Sequence, residues 1–282
     1  CGDEEAKPEN FKTQEAASTA LFETEDDIFM MLMMLSGATE TALNFDGSYP
    51  SDFGFKVKRS SGMRKRLSPN TFGYNAQTGY WTFDTTATEE GLILSVEGKI
   101  KFTPRDTFSG LPNESTNTME YDVTFSMYEQ FEESYLDLKY LTDVIVGGIA
   151  DFRNSSGNAT INGSEKVEFA IDITFEKDHI KGEYNHSYTI HDVIISPTLP
   201  YPQSGRFNFT IKRSGKFEGY GEDFYIKGSI IFDGTNIAIL EFGGYTFHIN
   251  LDGPYIVEFA QTKPSGLRLN NTSQFYDVKF SK

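Results

Sequence analysis

Cysteine is almost missing from this chain: Cys1 is the only one in 282 residues. A single thiol cannot close an internal disulfide, so the fold is held without a covalent staple. Basic charge is scarce too, with 25 Lys and Arg against 41 Asp and Glu and a formal net charge of −16. That balance argues against a nucleic-acid partner, which calls for a basic face. Long apolar runs are lacking. The longest, Ile28 to Leu35, falls far short of the ~20 residues that a spanning helix needs. Catalytic signatures are absent as well: there is no G-x-S-x-G, no P-loop and no G-x-G-x-x-G. The four histidines, His179, His186, His191 and His248, offer no metal-ligand spacing. His186 and His191 sit five apart on an expected strand, which sends them to opposite faces. No catalytic residue, metal or cofactor is expected, and the chain reads as a non-enzyme.

What the sequence has in quantity is aromatic residues, 25 Phe and 15 Tyr, which suit a pleated, half-buried surface. The segment KVEFAIDITFE, from Lys166 to Glu176, alternates cleanly. Val167, Phe169, Ile171, Ile173 and Phe175 point one way, while Glu168, Asp172, Thr174 and Glu176 point the other. That is the pattern of a half-buried antiparallel strand. The same alternation runs through Leu92/Leu94/Val96, Tyr121/Val123/Phe125/Met127, Phe207/Phe209/Ile211, Phe224/Ile226, Tyr245/Phe247/Ile249 and Tyr276/Val278/Phe280. Turn residues punctuate it at Asp178-His179, Ser214-Gly215, Asp233-Gly234, Gly243-Gly244 and Asp252-Gly253. The expectation is about ten to thirteen strands joined by hairpins. Tyr128 to Ile149 fits either a helix or strands, with strand favoured from Leu136 onward. Eight Asn-x-Ser/Thr triplets, starting at Asn113, Asn154, Asn158, Asn162, Asn185, Asn208, Asn270 and Asn271, read as turn and strand-edge chemistry.

Ahead of the strands the pattern changes. Residues 1–10 are polar and aperiodic and read as a solvated tether, reaching at most ~35 Å when extended. From Phe11 to Leu35 apolar residues recur near a 3.6 period, with Ser36-Gly37 as a stop, so one helix is expected there. Its second half is apolar all round and asks for burial on every side. Met30, Met31, Met33 and Met34 are candidate ligand-binding residues, since methionine adapts to irregular apolar shapes; the plainer reading makes this segment a core plug. Residues 41–70 read as an irregular connection. It contains the one dense basic cluster, Lys56, Lys58, Arg59, Arg64, Lys65 and Arg66, a candidate patch for anionic head groups or glycans against the commoner role of a solvated loop.

A chain that begins Cys1-Gly2 and continues Asp3-Glu4-Glu5 resembles a bacterial lipoprotein. In that family the signal peptide is cut just before the cysteine, whose sulfur carries diacylglycerol. The resemblance implies lipidation at Cys1 and a membrane partner reached through that anchor. Gly2 in place of an aspartate implies the outer membrane of the cell envelope, facing the periplasm or the surface. Two or three acyl chains at ~0.8 kcal/mol per buried methylene outweigh repulsion of an acidic body.

A meander of this length must close, stack or wrap something to protect its edges. The expected fold is mainly β: one large curved antiparallel sheet, a half-barrel or barrel-like meander, packed around one N-terminal α-helix, with 11–282 a single domain. In outline this is similar to LolA/LolB-type half-barrel lipid carriers, whose concave face holds acyl chains. The stretch FEGYGEDFYIKGSIIFDGTNIAILEFGGYTFHINLDG also resembles uncharacterised β-rich lipoproteins. Two functions are expected from this. The first is binding of a lipid or other hydrophobic ligand on the concave face. The alternative is a cell-surface interaction module that binds protein or glycan through exposed loops.

Overall fold

The computed structural model describes residues 11–13, 15–17, 20, 47, 70–89, 91–106, 108–154, 156–175, 178–216, 224–251 and 257–259. They form one antiparallel sheet in which every strand pairs with its neighbours in sequence. The strands are β1 (Thr71–Asn75), β2 (Tyr80–Glu89), β3 (Leu92–Thr103), β4 (Thr118–Phe131), β5 (Ser134–Gly147), β6 (Ala159–Phe175), β7 (Asp178–Ile195), β8 (Ser204–Lys216), β9 (Phe224–Phe232), β10 (Ile237–Phe242), β11 (Tyr245–Asn250) and the three-residue β12 (Val257–Phe259). Among the described residues β1 and β12 stay at opposite edges, so the sheet is an open meander. A single turn of helix, α1 (Ile149–Arg153), lies between β5 and β6.

Period-two alternation decides the whole architecture, because it puts one face of each strand in the core and the other in water. Phe102, Met119, Val144, Val146, Phe207, Ile211, Ile230, Leu240 and Phe247 are fully buried on the inner face. Each side chain so buried contributes roughly 1.5–3 kcal/mol relative to exposure. The outer face is polar. There Lys99 pairs with Asp122 at 3.0 Å, the Tyr80 hydroxyl donates to Glu120 at 2.9 Å, and Arg206 and Ser229 both donate to Glu241 at 3.0 Å.

The alternation changes phase once, inside β7. Tyr184, His186, Tyr188 and Ile190 face inward, then Val193 does. A β-bulge causes the switch: the register slips between Ile161/Gly163 on one side and His191/Ile194 on the other. Asn162 and Asp192 clamp it, the Asn162 amide donating to Asp192 at 3.1 Å and the Asp192 N–H donating back at 2.9 Å. Asp192 takes φ 47° there, a left-handed conformation that Asp tolerates better than most residues. Asn162 thus serves a bulge inside the sheet and not the turn or strand edge expected of the Asn-x-Ser/Thr sites, whereas Asn113 does cap a turn, accepting from the Ser115 N–H at 2.9 Å.

Several local expectations are met and some are revised. Asp233-Gly234 makes a hairpin turn, with the Asp233 carboxylate accepting from the Thr235 N–H and hydroxyl. The ambiguous segment Tyr128 to Ile149 is strand from Leu136 as favoured and also before it: β4 continues to Phe131, β5 runs from Ser134 to Gly147, and only Ile149 is helical, opening α1. Ser214-Gly215, expected as a turn, continues β8 because Gly215 pairs with Gly182. Asp178-His179 opens β7 instead of turning.

Of the expected helix over 11–35, Glu15 to Ala17 and Ala20 are helical and residues 21–35 lie outside the described residues. Its start is capped at Thr13, whose hydroxyl accepts from the Ala16 N–H at 3.2 Å. Phe11 stacks on Phe242 at 5.6 Å, and Ala17 is fully buried in the core. The beginning of this segment therefore lies on the inner face of the sheet.

Candidate functional site

Across the middle of the inner face runs a cross-strand row of Gly98, Val123, Thr142, Glu165, Tyr188, Phe209 and Gly228. Most of these belong in an apolar core. Glu165 does not, yet it is only 2% exposed. The Thr142 hydroxyl donates to its Oε1 at a long 3.4 Å. The hydroxyls of Tyr140 and Tyr188 stand near enough to favour the anion, but Oε2 has no partner at full hydrogen-bonding geometry. Burial dominates these contacts and pushes the Glu165 carboxyl up to about 7. Burial and the adjoining carboxylate likewise raise both tyrosines well above their ordinary value. The result is an acid poised to change charge near neutrality inside an apolar sheet. It can donate or accept a hydrogen bond, or hold a proton, for something lying on the inner face.

The inner face is not equally covered along its length. Toward the β4–β5 turn, Met127, Leu138, Phe169 and Tyr184 are successive cross-strand partners and only half-buried. Beyond them Phe131 is 43% exposed. The row continues to Arg213, whose guanidinium lies 4.9 Å over the Tyr184 ring. Phe169 and His186 both meet Tyr184 edge-on, at 5.7 and 5.9 Å. One margin of the inner face is therefore an aromatic and aliphatic shelf with a cation at its end. Separately, a hollow of about 320 Å³ opens at the β10–β11 turn, lined by Lys227, Glu241, Phe242 and Tyr245. It is at the small end of ligand pockets and is open to solvent.

Cys1, the methionines Met30, Met31, Met33 and Met34, and the basic cluster Lys56, Lys58, Arg59, Arg64, Lys65 and Arg66 all lie outside the described residues. Of the histidines, His186 is buried and His191 exposed, on opposite faces as expected. His179 bridges to Asp172 at 2.8 Å. No group of three or more metal-ligating side chains occurs among the described residues. Sequence reasoning missed Glu165, although the signal was there. The alternation that begins at Val167 puts Glu165 on the same inward side when carried one step back. The same rule places His186 with Tyr184 and Tyr188, and Arg213 with Phe209 and Ile211.

Comparison with known proteins finds no family model, no curated protein and no solved structure that matches this chain.

Proposed function

We propose that this chain is a lipid-anchored bacterial envelope protein that binds a hydrophobic ligand along the inner face of a curved sheet and catalyses no reaction. The observation that carries the reading is the half-buried row Met127–Leu138–Phe169–Tyr184. An apolar shelf of this kind, continuous with the core and open to solvent, suits an acyl chain. Glu165 lies two inward residues deeper along β6 than Phe169 and offers a polar handle for a head group. Anchoring through Cys1 in the outer membrane belongs to the same proposal and rests on the likeness of Cys1-Gly2 to lipoproteins.

Curvature of the sheet is supported by its strand glycines. A Cβ at Gly98 would come within 2.5 Å of the Phe83 ring and 2.7 Å of the Asp122 carbonyl. One at Gly228 would run into the Phe209 ring. Glycines crossed by a neighbouring ring mark places where a sheet bends sharply.

Native mass spectrometry of the full chain, purified gently from a bacterial host, tests the reading. Bound phospholipid or fatty acid is expected, with occupancy falling at least tenfold in Leu138→Glu and Phe169→Glu. A ligand-free mass that stays unchanged when lipid is added refutes it.

A further inference from the structure

The connections at the two ends of the sheet differ in kind. At one end lie the β1–β2 turn, the long β3–β4 loop, α1, the β7–β8 loop and the β9–β10 turn. At the other lie mostly two-residue turns and the segment 217–223. The first set, with the segment after β11, carries Arg105 and Arg153 against Asp106, Glu114, Asp151, Asp233 and Asp252. The second set is much shorter, yet it carries seven acids against Lys177 alone. So, counting the connections alone, the long loops carry the smaller net charge.

That end also displays apolar side chains. Phe108, in the β3–β4 loop, is 93% exposed, and Leu199, in the β7–β8 loop, is 51% exposed. Phe108 is not a floppy tip. The Asp106 carboxylate accepts from the Phe108 N–H at 3.0 Å, the Ser109 N–H at 2.7 Å and the Ser109 hydroxyl at 2.9 Å. Asp106 and Leu111 close the loop through a backbone bond of 3.0 Å, and the Trp81 indole donates to the Gly110 carbonyl at 3.1 Å. The Tyr74 ring occupies the space where a Cβ on Gly110 would lie, and Tyr74 accepts from Arg105 at 3.0 Å. A side chain so fully exposed, on a loop braced from four sides, is preorganised for a contact outside the chain. The β7–β8 loop from Ser196 to Gln203 has no charged residue, and Tyr201 follows Leu199 by two residues, flanked by Pro200 and Pro202.

We infer that this end of the sheet docks onto a zwitterionic lipid surface, with Phe108 and Leu199 inserted among the acyl chains. Dispersion of the two side chains favours a bilayer over a protein pocket. Their loops are four strand steps apart, roughly 19 Å along the sheet at 4.8 Å per step. A bilayer accepts separate insertions, whereas a pocket needs one contiguous patch. Amphipathic Tyr201 suits the head-group level. The net charge of −16 selects neutral head groups over anionic ones. In this pose the Met127–Phe131 margin, at the opposite end, points away from the bilayer and stays open to ligand.

Cys1 supplies the test, since the only thiol lets the full chain be coupled to a maleimide lipid in phosphatidylcholine vesicles. Phe108→Trp and, at the opposite end, Phe131→Trp are compared with and without brominated phosphatidylcholine, after subtraction of the Trp81 signal. Position 108 is expected to be quenched at least twofold more than position 131. In addition, Phe108→Ala should lower partition of the uncoupled chain about tenfold or more. Equal quenching at both positions, or none at 108, overturns the proposal. So does a chain that ignores vesicles while a benzophenone side chain at 108 crosslinks to an envelope protein. None of these readouts depends on acylation of Cys1 in the cell or on a ligand on the inner face.

Discussion

Replacing Glu165 with glutamine should remove one specific part of the pH dependence of folding. In the unfolded chain this carboxyl ionises near 4.5, whereas in the sheet burial holds it protonated up to about 7. Between those values the unfolded chain has released the proton and the folded chain has kept it. Stability therefore falls as pH rises through that window and is flat on either side. At ~1.4 kcal/mol for each unit, the total is about 3 kcal/mol lost between pH 4.5 and 7.

Urea unfolding of wild type and Glu165→Gln at pH 5, 6, 7 and 8 reads this directly. At pH 5 the two should lie within ~1 kcal/mol of each other, because a neutral acid and an amide make similar demands. At pH 8 the variant should be the more stable by about 2–3 kcal/mol, having no charge to bury. Every other pH-dependent contribution is common to the two proteins and cancels in the difference. Parallel stability curves across pH 5 to 8 would refute the reasoning, since they would mean that Glu165 is ionised in the folded sheet at pH 5.

Phe207 is fully buried with its ring 5.0 Å from Tyr188, so Phe207→Ala should cost about 3–5 kcal/mol in urea unfolding. Gly228→Ala should cost about 1–3 kcal/mol by driving a methyl into the Phe209 ring. Gly73→Ala, where nothing lies within 4 Å of the added carbon, serves as its control and should stay within ~1 kcal/mol of wild type. Lys99→Ala breaks a 3.0 Å pair whose members are 47% and 45% exposed; less than ~1 kcal/mol should be lost, and that loss should vanish in high salt.

The strands were legible because one face is buried and the other is wet. The alternation is plainest in β3, β4, β10 and β11, whereas in KVEFAIDITFE Val167 to Ala170 are all half-buried, Ile171 is buried and Thr174 exposed. What alternation cannot reveal is a change of phase. The bulge at Asp192 depends on a side-chain pair thirty residues apart in sequence, and no local pattern announces it. Ser214-Gly215 misled for a related reason, since a Gly-containing dipeptide makes a turn only where no partner strand continues beside it, and β7 does. The Phe108 loop was invisible in sequence. A lone phenylalanine between Thr107 and Ser109 looks like any other aromatic until Asp106, Tyr74 and Trp81 are seen bracing it outward.

Glu165 also bears on the choice between binding and mere stability. By the sign worked out above, it makes the folded chain less stable at neutral pH than an amide would, and its geometry leaves one oxygen without a full hydrogen bond. A group retained for stability has neither property. Residues that break a local rule without a stabilising return are expected at functional or strained places in a fold. The shelf of Met127, Leu138, Phe169 and Tyr184 has the same character: apolar, half-wet and unhelpful to an empty fold. Both make sense together if an apolar molecule with a polar end lies along the inner face, its chain on the shelf and its head toward the acid. That arrangement requires Glu165→Gln to gain stability at pH 8 while losing the pH dependence of lipid release. A variant that gained stability and released lipid with an unchanged pH profile would separate the acid from the ligand and leave the shelf alone as the binding surface.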